Sequence, residues 1–204
     1  MNYIFDFIGT LVGDNPKQYR GLLSKTFGLT LEDYNERVRQ FISTHDFSSK
    51  EEALDKLLGK IGIPLSNEEK KGFFRGFEEW KLNIIVYPDT LETLRELKKK
   101  SKIGVISNNS AFTEDLVERD GILEYVDSLI LSHKVGYMKP DERIYHLCLK
   151  ELGVSPEQVT MVGDQLEKDV LFPISLGMRG ILFDPDNKYS NYSGKKIRRL
   201  SELV

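Results

Sequence analysis

The stretch Tyr3-Ile4-Phe5-Asp6-Phe7-Ile8-Gly9-Thr10-Leu11 begins with an unbroken apolar run and stops it on an aspartate. A run without polar alternation is what a strand covered on both faces requires. The same texture returns at Ile103-Gly104-Val105-Ile106, Leu129-Ile130-Leu131, Val159-Thr160-Met161-Val162 and Gly180-Ile181-Leu182-Phe183. Helical patterns separate these runs. Asp89, with Glu92 three residues on, reads as the cap of a helix carrying Leu91, Leu94 and Leu97. Ile144, Leu147, Cys148 and Leu152 make a second buried stripe. Strands alternating with helices predict an α/β layered sandwich around a parallel sheet.

Between the first two runs the texture changes. Residues 15–83 carry no strand signal and four helical patterns. These are Tyr19, Leu22, Leu23, Phe27; then Tyr34, Val38, Phe41, Ile42; then Ala53, Leu54, Leu57, Leu58, Ile61; then Phe73, Phe74, Phe77, Trp80. Breaks fall at Gly28, at 46–49 and at 62–67. A four-helix insertion is expected there, with the core made of 1–14 and 84–204 and the sheet resuming near Val86-Tyr87-Pro88. The aromatic row ending at Trp80 reads as helix core, with one edge able to face a site. Segment 187–194 reads as a surface loop before a final helix, whose Lys195, Lys196, Arg198 and Arg199 form a solvated face.

Composition narrows the function classes. The 204 residues are 40% hydrophobic and 30% charged, enough for a substantial core and incompatible with a wholly disordered chain. Lys plus Arg is 29 and Asp plus Glu is 32, a net charge of −3 that does not suggest a nucleic-acid partner. No apolar run approaches the roughly 18 residues of a membrane helix. Residues 1–12 contain Asp6 and lack a basic leader, so they do not read as a signal peptide. The single cysteine, Cys148, excludes an internal disulfide and a cysteine-based zinc site. A cytoplasmic protein is expected, and nothing addresses its oligomeric state.

Open α/β sheets bind ligands at the carboxyl ends of their strands. After the first run come Asp6, Gly9 and Thr10; after the second, Ser107-Asn108-Asn109; after the third, Lys139-Pro140; after the fourth, Gly163-Asp164 and then Asp169. One aspartate at a strand end is ordinarily a turn former. Four strand ends that all carry polar groups form a rim. Clustered carboxylates repel one another unless a cation joins them, and an all-oxygen site favours Mg²⁺. A lysine neutralises phosphoryl oxygens, a Ser/Asn pair donates to them, and Gly9 lets backbone approach closely. A carboxylate beside a cation-bound phosphate can attack phosphorus. The substrate class expected is a small phosphorylated or otherwise anionic metabolite.

These four segments resemble the motifs of the haloacid dehalogenase-like (HAD) hydrolases. Asp6-Phe7-Ile8-Gly9-Thr10-Leu11 is similar to the first, Ile106-Ser107-Asn108-Asn109 to the second, Lys139-Pro140-Asp141 to the third, and Val162-Gly163-Asp164 with Asp169 to the fourth. The resemblance implies a three-layer Rossmann-like sandwich with an inserted all-α cap. It implies Asp6 as nucleophile and Lys139 as the residue that orients the phosphoryl group. Gly9, Thr10, Ser107 and Asn108 would bind that group. Asp6, Asp164, the backbone carbonyl of Ile8 and, in support, Asp169 would hold Mg²⁺.

One position departs from the pattern. The family's phosphatases carry a second aspartate two residues after the nucleophile, as general acid and base; here that residue is Ile8. Such help is worth about 10²–10⁴-fold. Alternatives therefore stay open: carbon–halogen cleavage, which needs no acid, carbon–phosphorus cleavage, or a catalytically weak ligand-binding relative. Halide cleavage in this family proceeds without metal, against which the Gly163-Asp164…Asp169 spacing argues. Phosphonate cleavage needs a cap lysine, for which Lys17, Lys25, Lys50, Lys56 and Lys60 are available. His45, His133 and His146 show no metal-ligand spacing.

Overall fold

A computed structural model describes residues 1–13 and 16–204, with the side chains of Pro16, Lys17, Arg20, Leu31 and Glu36 left undescribed. The boundary expected between residues 14 and 15 therefore lies outside the described residues.

Five strands match the apolar runs: β1 (Asn2–Phe5), β2 (Ile103–Ser107), β3 (Ser128–Leu131), β4 (Val159–Gly163) and β5 (Arg179–Phe183). A short sixth, β6 (Lys196–Ile197), completes a sheet of order β3-β2-β1-β4-β5-β6 in which every neighbouring pair is parallel. β1 lies at its centre, with Tyr3 level with Ile103 on one side and Thr160 on the other. The chain winds outward from β1 through β2 to β3, then crosses to β4 on β1's other side. That reversal opens a crevice beyond the carboxyl ends of β1 and β4, where such sheets take their ligands.

The helical segment is built as its periodicity requires. Helix α1 (Pro16–Phe27) is followed by α2 (residues 31–43), whose middle turn, Tyr34–Arg39, is wound as a π-helix. Then come α3 (Lys50–Ile61) and α4 (Asn67–Leu82). Ser49 caps α3 by accepting from Glu52 N, and Ser66 with Glu69 closes a capping box on α4. Phe73 and Phe77 pack on Phe27 and Phe112 in the main apolar cluster. Beyond them, α5 (Thr90–Lys98), α6 (Glu142–Leu152) and the helical stretch α7 (residues 166–175) cover the sheet. Ile144, Cys148 and Leu152 of α6 sit in a second buried cluster with Ile4, Ile106 and Met161.

Three local expectations need correction. Val86 does not resume the sheet. It makes one isolated antiparallel bridge to Val12, because Pro88 lacks an N–H and α5 begins two residues later. Tyr87 N also donates to Leu11 O and Gly13 N to Ile85 O, so the segments entering and leaving the helical part run side by side. Asp89 does not cap α5 through its side chain; its carboxylate accepts from Ser201 N at 2.8 Å. The expected final helix is instead β6 plus one turn at Leu200–Leu203, because Ile197 and Leu200 are buried and anchor this short, charged sheet edge. Among the described residues, no helix is long and apolar enough to cross a membrane.

Candidate active site

The crevice gathers a buried charge cluster. Asp6 follows β1 directly, with its N–H donating to Val162 O of β4 at 2.9 Å, so the ladder fixes its position. Lys139, 1% exposed, reaches it from beyond β3: its Nζ lies 2.7 Å from Asp6 Oδ1 and 2.7 Å from Asp169 Oδ1. Burial alone would lower the lysine pKa, but the Asp169 and Asp6 charges more than offset that and raise it, so the ammonium stays charged. Two of its three donors are used.

The lysine is itself held. Asn108 pairs with its backbone in both directions, Nδ2 donating to Lys139 O at 2.9 Å and Oδ1 accepting from Lys139 N at 2.7 Å. Asn108 therefore clamps the lysine loop against the end of β2. Asn109 continues the tie, its N–H donating to Ser132 Oγ at 3.0 Å.

Asp169 is completely buried, and its second oxygen accepts from Gln165 N at 3.0 Å. Gly163 makes room for it: a Cβ there would lie 2.4 Å from the Asp169 carboxyl carbon. Burial, only partly countered by Lys139, lifts the Asp169 pKa to about 6. Thr10, fully buried, donates a long 3.4 Å hydrogen bond to Asp6 Oδ2. Gly9 holds φ +94°, and a Cβ there would come within 2.8 Å of the Asp164 carboxylate.

Asp164 is the odd member. Its Oδ1 is buried with no hydrogen-bond partner, and burial plus the Asp6 and Asp169 charges push its pKa up to about 8. Oxygens of Asp6, Asp164 and Asp169 all lie within 4.8 Å of one another. An orphaned carboxylate oxygen beside two other carboxylates is the donor set a hard divalent cation fits.

A pocket of about 330 Å³ opens above this cluster. Of the residues singled out in the sequence, Asp6, Ile8, Ser107, Asn108, Lys139 and Asp164 border it, whereas Gly9, Thr10 and Asp169 stand behind that surface as supports. The roof was largely missed. Tyr19 of α1, Tyr34 and Arg39 of α2 and Trp80 of α4 also line the pocket. The tyrosine hydroxyls lie 2.8 Å apart, and the Tyr19 ring sits 5.0 Å from that of Trp80. A signal existed in α2, where Asn35, Arg39, Ile42 and Ser43 fall on one helical face. Among the described side chains, Lys139 is the one lysine at the pocket; Lys17 lies outside them. Lys50 is paired with Asp115, and Lys60 lies over the Phe41 ring.

Comparisons with known proteins identify the family. The family profile described as haloacid dehalogenase-like hydrolase matches residues 2–177. A glyceraldehyde 3-phosphate phosphatase of Methanothermobacter thermautotrophicus is 35% identical over 102 residues, 49% of this chain and 45% of that protein. One of the same name from Methanopyrus kandleri is 33% identical over 141 residues, 68% of this chain and 58% of its own length. The chain spans about half the length of the curated relatives it matches. Among solved structures, a HAD phosphatase from Thermococcus onnurineus superposes with a TM-score of 0.68 at 25% identity, covering 99% of this chain and 95% of that one. A HAD family enzyme from Bacteroides thetaiotaomicron, solved with magnesium and inorganic phosphate, shares the fold at a TM-score of 0.71 and 16% identity, over 93% and 97% of the two chains. With a parallel sheet of this order, four motif segments at its rim and a profile match over most of its length, the chain belongs to the haloacid dehalogenase-like hydrolase family.

Proposed function

We propose that the protein is a Mg²⁺-dependent phosphatase acting on a small phosphorylated metabolite through an aspartyl-phosphate on Asp6. In this reading residues 15–83 form a cap over a core of 1–14 and 84–204. The observation that carries it is the pairing of a lysine-held carboxylate, Asp6, with an orphaned one, Asp164. Asp6, Asp164 and the Ile8 carbonyl would hold the cation, with Asp169 anchoring Lys139 beside it. Mg²⁺, when bound, neutralises the carboxylates and withdraws charge from the phosphoryl oxygens.

The residues divide the work. An Asp6 oxygen attacks phosphorus, the bond from phosphorus to the leaving oxygen breaks, and that oxygen departs with the electron pair. Water then attacks the acyl phosphate, releasing inorganic phosphate and restoring the carboxylate. The third donor of the Lys139 ammonium orients the phosphoryl group, and Ser107 with the Asn108 backbone completes its cradle. Ile8 borders the same space and has no proton to give. Poor leaving groups should therefore react slowly.

Ile8 also favours a second reading, cleavage of a bond whose leaving group needs no proton. Carbon–halogen cleavage in this family does without metal, which leaves Asp164 unexplained. Phosphonate cleavage lacks a cap lysine at the pocket among the described residues.

Leaving-group dependence tests the proposal. The wild type should cleave para-nitrophenyl phosphate, whose phenolate leaves unprotonated, far faster than an alkyl phosphate. Ile8→Asp should raise the alkyl rate by about 10²-fold, and Ile8→Asn should not. Turnover of a 2-haloacid or phosphonate with every phosphate ester inert would overturn it.

A further inference from the structure

Charge lines the pocket in two places. One is the Asp6–Lys139 cluster; the other is Arg39, half-buried on the α2 face that looks into the same space. The other cations of the helical segment that are partly withdrawn from water have acids to meet. Lys50 and Lys81 share Asp115 and Glu78, and Lys70 sits 2.6 Å from Asp55. Among the described side chains, no carboxylate lies within ion-pair distance of Arg39. Lys168, next to Asp169 in the chain, donates to Gln165 Oε1 at 3.2 Å.

A guanidinium drawn out of bulk water without an acid opposite is only partly satisfied. Its planar fork matches a carboxylate or a phosphate, each of which can take two of its donors. The pocket volume, about 330 Å³, equals roughly ten waters at about 30 Å³ each, the size of a small metabolite.

We propose that Arg39 is a second anion subsite, so that the substrate carries a phosphoryl group at one end and a further anionic group, carboxylate or phosphate, at the other. The inference rests on the reading of the Asp6–Lys139 end as the phosphoryl site. It makes Arg39 a specificity residue: a neutral-tailed phosphate ester fills the same pocket and leaves the guanidinium unmatched. The aromatic face of Tyr19, Tyr34 and Trp80 then packs against the carbon chain between the two charges.

The test compares three probes: glycerol 3-phosphate with a neutral tail, 3-phosphoglycerate with a carboxylate, and 2,3-bisphosphoglycerate with a carboxylate and a second phosphate. The wild type should prefer the anionic tails in kcat/KM, and the better of the two tells which anion the subsite takes. In Arg39→Ala the ratio of anionic-tail to neutral-tail kcat/KM should fall about 10- to 100-fold, with Arg39→Lys in between. Calorimetric titration of the same probes needs no turnover. If no ester is hydrolysed yet 3-phosphoglycerate binds more tightly than glycerol 3-phosphate, and Arg39→Ala removes the difference, the subsite stands and the hydrolytic reading falls. Equal handling of all three probes by the wild type would overturn the subsite, as would an equal loss on all of them in an Arg39→Ala protein of unchanged melting temperature.

Discussion

The rim of the sheet and the helical roof above it solve the same problem, facing one pocket, by opposite means. At the rim, charges are buried and locked: Lys139 is 1% exposed and spans two carboxylates, and Asn108 fixes its backbone. On the roof, Tyr19, Tyr34 and Trp80 pack by their rings, and charge is supplied by a half-buried arginine. The two parts are tied by Phe73 and Phe77 packing on Phe112 and by ion pairs, buried Lys81 and part-exposed Lys50 to Asp115 and Lys134 to Asp46. The rim is therefore held by buried charge, whereas the roof offers rings and one half-buried cation to the same space.

The largest expected effect breaks the rim. Lys139→Met strands two buried carboxylates, which should cost about 3–5 kcal/mol in urea unfolding. Lys50→Met, the roof counterpart, should cost no more than about 1 kcal/mol. Similar losses from the two would erase the distinction between a buried charge cluster at the rim and a part-exposed pair at the roof.

Next comes the close approach at Gly9. Gly9→Ala forces a side chain into positive φ and toward the Asp164 carboxylate, so we expect a loss of about 1–3 kcal/mol. Calorimetry should also show weakened Mg²⁺ binding.

A subtler signature is pH. Asp164 titrates near its ordinary carboxylate value when unfolded but at about 8 when folded without a cation. Between those values the native state holds the extra proton, so stability should fall as pH rises from about 4 to about 8, by at most about 1.4 kcal/mol per unit, and level off above. Asp169, lifted to about 6, adds to the fall below pH 6, so Asp164→Asn should flatten the slope between about 6 and 8 in metal-free thermal melts. Smallest of all, Asp115→Asn should cost about 1 kcal/mol, less in high salt, because Asp115 is half-exposed and buried Lys81 keeps Glu78 as a partner.

How much of this was legible in the sequence follows the same division. Asp6, Ser107 and Asp164 could be read because each follows an apolar run, and a parallel sheet delivers such positions to one edge. Lys139 comes after a helical turn, Ser132–Val135, and its burial between two acids depends on contacts that no local pattern encodes. The roof was harder. Phe73, Phe77 and Trp80 share one helical stripe and one buried cluster, yet of the three only Trp80 also borders the pocket, which a stripe cannot tell. Arg39 looks in the sequence like any arginine on a helix. β6 was misread because its two residues are too few to show a period, and sheet pairing overrode the helical reading.

The central claim is that Asp6 carries the phosphoryl group between substrate and water. Acid-quenching the protein with para-nitrophenyl phosphate and Mg²⁺ during turnover, then mapping peptides by mass spectrometry, tests it directly. One hydroxylamine-labile phosphoryl group is expected on Asp6, and none anywhere in Asp6→Asn. A label on another residue, or undiminished turnover by Asp6→Asn, would contradict it.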